Sequence, residues 1–303
     1  MIKKKAFLGL REPNVRYWPC NSGLLKERTI EYAMKCKCEG GGFCFYQLEE
    51  PDTSDTYYGL SILNLSGVDF RDDNTVDYLK NMQEEDGSYS SIYLAYYSIK
   101  GLLLLKEKPK YDPREYILKN VGIYNVDSLP KGILSIFKPM FYLVELCFGF
   151  KIKLDDNIKN KVVNFIFHFK KDDNGFGNND STLIETSQAL SILNWLDYPI
   201  DSLEVEEFIK KCENPIYGFS NIPNTAPSFI EHIHAGAVAS ALLAYKPRYL
   251  NQCTKFIMEC QNNNGGFSRS SHGISTLENT YYAVRSLLLL SALKRHEQNL
   301  SPS

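Results

Sequence analysis

The sequence predicts an all-α protein, an α/α toroid (α6-α6 barrel) of six helical hairpins closed into a ring. The first observation is an internal repeat. A glycine-rich turn that ends in an aromatic residue recurs at about 45 residues, with one gap of twice that length. The turn aromatics are Phe43, Tyr89, Phe176, Phe219 and Phe267. The second observation is that each turn lies between a half-apolar segment and a more continuously apolar one, as expected for an outer and an inner helix.

Each repeat contains the same elements in the same order. A leading amphipathic helix, as in the segment 158–169, carries apolar residues at helical spacing. A glycine-rich turn ends this helix, because glycine adopts left-handed dihedral angles without a side-chain clash. A polar loop follows, and then a helix that is apolar on nearly all sides, such as 95–105 or 281–293. A helix of that kind is buried, so the second helix of each unit is predicted to line the inside of the ring.

The repeat spacing fixes the expected positions of the inner helices. They are predicted at 55–67, 92–106, 138–149, 182–196, 235–246 and 278–293. The unit within the double gap has no clear turn, and Tyr124 is the nearest candidate for its aromatic residue. An open superhelix with separated ends is the alternative arrangement of the same hairpins. We also expect the turn aromatics to be buried.

The amino-acid composition and its distribution along the chain limit the possible domain organisation and the possible classes of function. We predict an N-terminal extension at 1–25, one toroid domain at 26–294 and a C-terminal tail at 295–303. A formal charge of −2 and the absence of basic blocks argue against nucleic-acid binding. Neither a signal peptide nor an apolar run of about 18 residues is visible, so no integral membrane segment is expected. The eight cysteines resemble packed free thiols, which favours a cytoplasmic location.

The repeat phrases resemble those of a known superfamily. Residues 260–267 form the phrase Cys-Gln-x3-Gly-Gly-Phe, and residues 280–287 form Thr-x-x-Ala-x-x-Ser-Leu. Together they resemble the repeat of protein prenyltransferase β subunits. The related phrase at 83–89 resembles the repeat of squalene and terpene cyclases. The resemblance covers roughly residues 26–293 and implies a toroid whose apolar, aromatic central cavity holds an isoprenoid. It also implies a helical-repeat α subunit as a partner.

The family's zinc ligands do not align with this sequence as a set. Protein prenyltransferases place zinc on an Asp-x-Cys pair and a His just before inner helices, where the metal holds a substrate thiolate. In the last unit the His position falls on Asn279 and the Asp position on Thr276. If that unit is matched to the Asp-x-Cys repeat instead, Thr276 and Glu278 occupy the two places. No alignment supplies Asp, Cys and His together. We therefore expect no cofactor, with zinc and magnesium as the ions to test.

A histidine-rich segment is the best chemical lead. Glu231, His232 and His234 supply three ligand-capable side chains within four residues, and they are the metal ligands if a metal binds. His234-Ala-Gly also resembles the phrase that contacts the prenyl diphosphate in the family. Imidazole at a helix start, with the free amides there, can bind diphosphate oxygens. Arg269 is the nearest candidate cation, and His272 lies in the equivalent region of the next unit. A helix cap is the alternative interpretation.

The cyclase comparison concerns residues 51–56. Class II terpene cyclases protonate a double bond with the middle Asp of Asp-x-Asp-Asp-Thr. Asp52 and Asp55 match the outer acids, but Ser54 stands where the proton donor should be. A serine cannot protonate an alkene. The alternative is that both acids cap the helix that follows.

These observations predict an isoprenoid-handling enzyme, specifically a prenyltransferase-like transferase that uses a prenyl diphosphate. A class II terpene cyclase-like enzyme and a non-catalytic toroid that serves as a binding or scaffold module are the alternatives. The candidate catalytic residues are Asp52, Asp55, Glu231, His232 and Glu278. The candidate substrate-binding residues are His234, Arg269, Asn279, Tyr58 and Tyr282. Because the loops before the inner helices emerge at one end of a toroid, we expect one mouth to be surrounded by Asp52, Asp55, Glu231, His232, His234, His272, Glu278 and Asn279, with Arg269 as the nearest cation.

Overall fold

The computed structural model describes Trp18 and residues 23–46, 50–123 and 135–298, with side chains as far as residue 295. Twelve α-helices lie in this part of the chain. The inner helices are α2 (Thr53–Leu65), α4 (Ile92–Leu104), α6 (Lys138–Gly149), α8 (Leu183–Trp195), α10 (Ile230–Leu243) and α12 (Leu277–Gln298). The outer helices are α1 (Gly23–Lys35), α3 (Asp73–Lys80), α5 (Arg114–Ile123), α7 (Asp156–His168), α9 (Glu206–Cys212) and α11 (Leu250–Glu259).

Short antiparallel pairs and one 3₁₀ turn complete the described elements. Strand β1 (Glu213–Asn214) pairs with β2 (Gly218–Phe219), and β3 (Phe267–Ser268) pairs with β4 (Ser275–Thr276). The 3₁₀ helix spans Ile200–Leu203. Each strand pair is a tight connection between an outer helix and the next inner helix, so it leaves the helical architecture unchanged.

The inner helices form a closed ring. Each packs against the inner helices before and after it, and α12 packs against α2 to complete the circle. The outer layer closes as well, because Arg28 Nη2 on α1 donates to the carbonyls of Asn262 (3.1 Å) and Asn263 (2.9 Å) in the last unit. The predicted all-α toroid of six hairpins is therefore confirmed, and the open superhelix is excluded.

The predicted bounds of the inner helices hold to within two residues at most ends. There are two exceptions: α10 spans Ile230–Leu243 where 235–246 was predicted, and α12 continues to Gln298 where an end at 293 was predicted. The polar residues of the first turn of α10 resembled loop in the sequence. In the structure, His232 Nδ1 accepts the N–H of Phe229 (3.2 Å) and so caps the helix start. Helix α2 begins at Thr53 because Asp52 accepts the N–H groups of Ser54 and Asp55.

The turn aromatics are buried, as predicted. Phe43, Phe176, Phe219 and Phe267 are 0% exposed and Tyr89 is 5% exposed. Tyr124 lies outside the described residues. In three units the N–H of the aromatic donates to a threonine hydroxyl on the following inner helix; the pairs are Phe43–Thr56, Phe176–Thr186 and Phe267–Thr280. The Phe43 side chain also requires a glycine at position 59, because a Cβ on Gly59 would lie 2.7 Å from the aromatic ring of Phe43.

Two further observations concern the chain as a whole. The seven cysteines among the described residues are buried free thiols, as the sequence predicted. Among the described helices, none combines the length and the apolar character that a membrane span requires.

Candidate functional site

The six inner helices begin at one end of the ring, which is called the mouth below. Hydrogen bonds link these starts from unit to unit. Ile136 N at the start of α6 donates to Glu185 of α8, and Leu183 N at the start of α8 donates to the carbonyl of Asn221 before α10. Ile230 N at the start of α10 donates to the carbonyl of Arg269 before α12. The starts of α6, α8, α10 and α12 therefore lie at the same end of the ring.

Two predicted acids at the mouth lie at the start of α2, where Asp52 caps the helix and Asp55 binds the preceding turn. Asp52 Oδ1 accepts from Ser54 N at 2.8 Å and from Asp55 N at 3.0 Å. Asp55 is 8% exposed, and its Oδ2 accepts from Phe45 N at 2.9 Å. Burial raises the pKa of Asp55 to about 6, although the hydrogen bond from Phe45 opposes this rise. Both carboxyl groups thus satisfy backbone donors of the turn and the helix start, the role of a cap.

His232 has the same structural role in another unit. Asp55, Glu185 and His232 all lie in the first turn of an inner helix and accept backbone N–H groups; the donors to Asp55 and His232 lie in the segment before the helix, and the donor to Glu185 is Ile136 at the start of α6. Burial lowers the pKa of His232. A neutral imidazole is consistent with Nδ1 acting as the acceptor for the Phe229 N–H. The His232 side chain, which was predicted to be catalytic, therefore caps the start of α10.

Glu231 and Arg269 form an ion pair at the mouth. Arg269 Nη2 lies 2.5 Å from Glu231 Oε1, and Nε donates to the same oxygen at 2.6 Å. The guanidinium also lies over the Phe229 ring, 4.0 Å from its centroid. The Arg269 side chain is 58% exposed. The predicted nearest cation is thus present but already paired with a carboxylate.

The last unit supplies three more predicted residues. His272 is exposed in the turn between β3 and β4, where its Nδ1 lies 2.9 Å from the Ser271 hydroxyl. Asn279 N donates to Thr276 Oγ1 (3.0 Å) in the first turn of α12. Glu278 belongs to the interior network described next.

The interior of the ring contains a tyrosine cluster. Its members come from α2, α4, α6 and α12 and are Tyr57, Tyr58, Tyr96, Tyr97, Tyr142, Tyr281 and Tyr282. Neighbouring rings lie 5.3–6.1 Å apart between centroids, mostly tilted or edge to face, and Tyr96 stacks on Tyr142 at 3.8 Å. Aromatic pairs favour such offset and edge-to-face arrangements. The cluster joins four of the six inner helices.

Hydrogen bonds run through the cluster from Glu278. Its Oε1 accepts from the hydroxyls of Tyr58 (2.9 Å) and Tyr282 (3.0 Å). The Tyr58 hydroxyl lies 3.2 Å from that of Tyr97, which lies 2.7 Å from that of Tyr142. Burial raises the pKa of Tyr97 to about 12, so its hydroxyl is neutral at physiological pH. The centre is therefore aromatic, as predicted, but it is not simply apolar.

A charged layer lies one helical turn beyond the cluster, away from the mouth. It consists of Lys100, Glu145 and Arg285, each three residues after a cluster tyrosine. Lys100 Nζ contacts Glu145 Oε1 at 2.8 Å, and Tyr96 donates to Glu145 Oε2 at 2.6 Å. Burial alone would raise the pKa of Glu145, but the Lys100 charge and the two hydrogen bonds outweigh it, so the pKa is lowered. Glu145 is thus held as a carboxylate.

The Arg285 guanidinium contacts a hydroxyl and an imidazole. Its Nη1 donates to the Tyr281 hydroxyl at 3.1 Å and lies 3.4 Å from His234 Nε2. Burial first, and then the Arg285 charge, lower the pKa of His234 well below its usual value, so this imidazole is neutral. The His234 ring lies 4.7 Å from that of Tyr282. Among the described residues, no carboxylate lies within 4.0 Å of the Arg285 guanidinium.

The predicted site residues therefore fall into two groups. Tyr58, Tyr282, Glu278 and His234 meet in the ring interior. The rim group caps helices, forms an ion pair or lies in turns; it comprises Asp52, Asp55, Glu231, His232, Arg269, His272 and Asn279. The sequence analysis missed the charged layer, although a sequence signal exists. A charged residue three positions after a tyrosine, inside an otherwise apolar inner helix, marks each of its members.

The three candidate metal ligands do not converge. Glu231 contacts Arg269, His232 contacts the Phe229 N–H and His234 faces Arg285. Within the described ranges, no three His, Cys, Asp or Glu side chains are close enough to hold a metal ion. In the described part of the chain, Glu231, His232 and His234 therefore do not fit the zinc site of protein prenyltransferases.

Comparisons with known proteins identify the family. The chain matches the family model described as the prenyltransferase alpha-alpha toroid domain over residues 20–114 and 138–301. A search among curated proteins found no match. The structure resembles Candida albicans protein geranylgeranyltransferase-I complexed with GGPP, with a TM-score of 0.67 and 17% sequence identity over 90% of this chain and 92% of that chain. The match to that structure supports the fold, and the match to the family model shows that the chain belongs to the prenyltransferase alpha-alpha toroid family.

Proposed function

We propose that this protein is a prenyltransferase-like transferase that binds a prenyl diphosphate with its isoprenoid chain against the tyrosine cluster. The observation that carries the proposal is the set of tyrosine rings that four inner helices bring into the middle of the ring. Such rings offer apolar faces to an isoprenoid and π density to an allylic cation. The similar Candida albicans protein was determined with GGPP, which supports the same ligand class here.

The chemistry proposed for this site has two parts. The allylic carbon–oxygen bond breaks, and the diphosphate leaves with the electron pair. An acceptor nucleophile then donates its electron pair to the allylic carbon and loses its proton. Glu278 is the proposed general base, because it is a carboxylate within hydrogen-bond reach of Tyr58 and Tyr282 in the interior. Tyrosine rings around the allylic group stabilise the positive charge as it forms.

The proposal includes no zinc-activated thiolate, since Glu231, His232 and His234 diverge. A helical-repeat α subunit and a cytoplasmic location are further parts of it; the subunit rests on the family resemblance and the location on the buried free thiols. Native mass spectrometry with metal analysis of the purified protein tests these points together. It measures zinc, magnesium, a retained isoprenoid and a bound subunit in one preparation.

A non-catalytic binding or scaffold module is the second proposal. It is favoured by the internal pairing of the site: Arg269 is bound to Glu231, and four tyrosine hydroxyls are bonded to Glu278 or to one another. A site with its polar groups satisfied in this way is also what a purely structural core requires. The class II cyclase is supported less well, because the Asp55 carboxyl is engaged by the Phe45 N–H of the turn.

Calorimetric titration of farnesyl and geranylgeranyl diphosphate tests the transferase proposal. We expect micromolar binding by the wild type. Tyr58→Leu removes a ring from the cluster and should weaken binding by about twofold to thirtyfold, from a cation–π and stacking loss of about 0.5–2 kcal/mol. Tyr46→Leu is the matched control, because Tyr46 is 66% exposed and lies outside the cluster. The absence of micromolar binding by the wild type would favour the scaffold.

A second set of variants tests the rim. The double variant His234→Ala, Arg269→Ala removes the imidazole that lies against Tyr282 and the nearest cation of the mouth. If the rim and His234 hold the diphosphate, this variant binds it more weakly than the wild type does. Release of inorganic pyrophosphate on addition of candidate acceptors then separates a transferase from a binding module, because only the transferase releases it.

A further inference from the structure

We infer that the ring interior contains an oxyanion site at Arg285, and that this site takes the anionic head group of the isoprenoid ligand. The inference rests on the proposed isoprenoid function for the identity of the ligand, and on the charged layer for the site. The ligand class is an isoprenoid that ends in a carboxylate, a phosphate or a diphosphate. All three present oxygen atoms that share a negative charge, and a guanidinium binds such groups through two parallel hydrogen bonds.

The first observation is the unused edge of the Arg285 guanidinium. Only Nη1 is engaged, by the Tyr281 hydroxyl and by His234 Nε2. Among the described residues, Nε and Nη2 have no hydrogen-bond partner. The Arg285 residue as a whole is half-buried and keeps part of its surface accessible. Nε and Nη2 together form the edge of arginine that binds a planar oxyanion in a bidentate manner.

The second observation is the charge of the layer. Lys100 and Glu145 form a pair, and Glu145 also accepts from Tyr96. Arg285 is a second cation of the layer and makes no ion pair within 4.0 Å in the described part of the chain, although Glu145 is near enough for the two charges to interact. A guanidinium remains protonated at any pH at which proteins are folded. The layer thus holds two cations and one carboxylate, and a bound anion would neutralise the remaining positive charge.

The third observation is that the donor is held in place. His234 and Tyr281 fix Nη1 from two directions, and the Arg285 guanidinium lies 5.9 Å from the centroid of the Tyr281 ring. Burial lowers the pKa of His234 well below its usual value, so its Nε2 accepts from Arg285 and does not repel it. A cation fixed in this way needs little rearrangement when a ligand binds.

The rim offers a weaker alternative. Arg269 is 58% exposed and is bound to Glu231 through both Nε and Nη2. An oxyanion there would have to displace a carboxylate and compete with water. At Arg285 the same donors are unoccupied and lie next to the tyrosine cluster, where the apolar chain is proposed to bind. Binding at Arg285 and binding at Arg269 therefore predict different effects of substituting each arginine on the affinity for the same ligands.

The test compares three farnesyl ligands by calorimetric titration: farnesyl diphosphate, farnesoic acid and farnesol. The variants are Arg285→Gln, Arg285→Lys and Arg269→Gln. The control is Arg248→Gln, because Arg248 is 63% exposed and paired with Glu213 far from the interior network. Thermal melting of each variant first establishes that it is folded. Arg285→Lys keeps the charge without the planar edge, so it gives an answer even if Arg285→Gln does not fold.

We expect Arg285→Gln to bind the two anionic ligands about tenfold to a hundredfold more weakly, the usual loss for hydrogen bonds to a charged group. Farnesol affinity should be unchanged. Arg285→Lys should lose a smaller part, and Arg248→Gln should match the wild type. A preference between farnesoic acid and farnesyl diphosphate identifies the head group. Unchanged affinity in both Arg285 variants, with a loss in Arg269→Gln, would overturn the inference while the proposed isoprenoid function stands.

If no farnesyl ligand binds the wild type, the proposed function fails, and inorganic pyrophosphate and acetate then test the site alone. A rise in melting temperature of the wild type with either ion, absent in Arg285→Gln, would support an interior oxyanion site without an isoprenoid. No rise in the wild type, or an equal rise in Arg285→Gln, would refute the site.

Discussion

Closure of the ring can be tested at Gly265, where the last hairpin meets the first. This glycine has a φ of +91°, and a Cβ placed on it would lie 2.2 Å from the carbonyl oxygen of Arg28 on α1. Gly265→Ala therefore introduces two separate costs, the unfavourable backbone conformation and a clash across the seam. Gly67→Ala introduces only the first, because Gly67 has a φ of +74° and no atom lies within 4 Å of its added Cβ.

The two costs have different sizes. A left-handed conformation costs a residue with a Cβ about 1–2 kcal/mol, which both variants share. The clash involves a backbone carbonyl that cannot rotate away, so the outer helix must shift. Overpacking of this kind typically costs about 1–3 kcal/mol more. We expect Gly265→Ala to lose about 2–5 kcal/mol of unfolding free energy and Gly67→Ala about 1–2 kcal/mol.

Equilibrium unfolding in urea measures this difference. The midpoints of the two variants should separate while the slope of free energy against urea stays constant. The comparison uses the difference between variants, so shared errors of extrapolation cancel. Equal losses for Gly265→Ala and Gly67→Ala would show that the seam between the first and last hairpins is not packed as described. The ring would then be open in solution.

Three other expectations follow from individual residues. Phe267→Ala should cost about 3–5 kcal/mol, the usual range for a buried phenylalanine, while Ile274→Ala, at a 71% exposed neighbour, should leave the melting curve almost unshifted. Because burial raises the pKa of Asp55 from 3.8 to about 6, the folded state holds this proton at pH values where the unfolded chain has lost it. The free energy of unfolding of the wild type, relative to Asp55→Asn, should therefore fall between about pH 4 and pH 6, by about 2–3 kcal/mol, and stay level above; a flat difference would show that the pKa is not raised. Metal analysis should find no stoichiometric zinc, and zinc that is lost in His232→Ala or His234→Ala would restore a thiol-activating mechanism.

The fold was predictable from the sequence because each hairpin repeats one set of local rules. A glycine that tolerates the turn, a buried aromatic and a threonine at the right distance recur with the units. Phe267, for example, donates its N–H to Thr280, and Phe43 donates to Thr56 in the same way. The predicted start of a helix was wrong where a polar residue has a capping role, as His232 does at the start of α10. Periodicity cannot separate a polar first turn from a loop.

The site was less predictable because its parts come from different units. The family phrases directed attention to residues near helix starts, and there Asp52, His232 and Arg269 are occupied by caps and an ion pair. The contact between Lys100 and Glu145 depends on how α4 and α6 are set against each other. A single chain reveals that both residues are charged, but the partner across the helix interface follows only from the packed ring.

The charged layer is the feature that a structural core explains least well. An interior of leucine would stabilise this ring at lower cost, since a buried ion pair is often no better than well-packed apolar residues of similar volume. The equivalent positions of the other three inner helices carry Ser61, Ser191 and Val238, which are all small. These three residues are buried, so the charged side chains of the layer come only from α4, α6 and α12. A layer that places a fixed cation beside small residues, with aromatic rings one turn above it, has the composition of a binding site for an amphiphilic anion, because it provides one charged contact and a long apolar one.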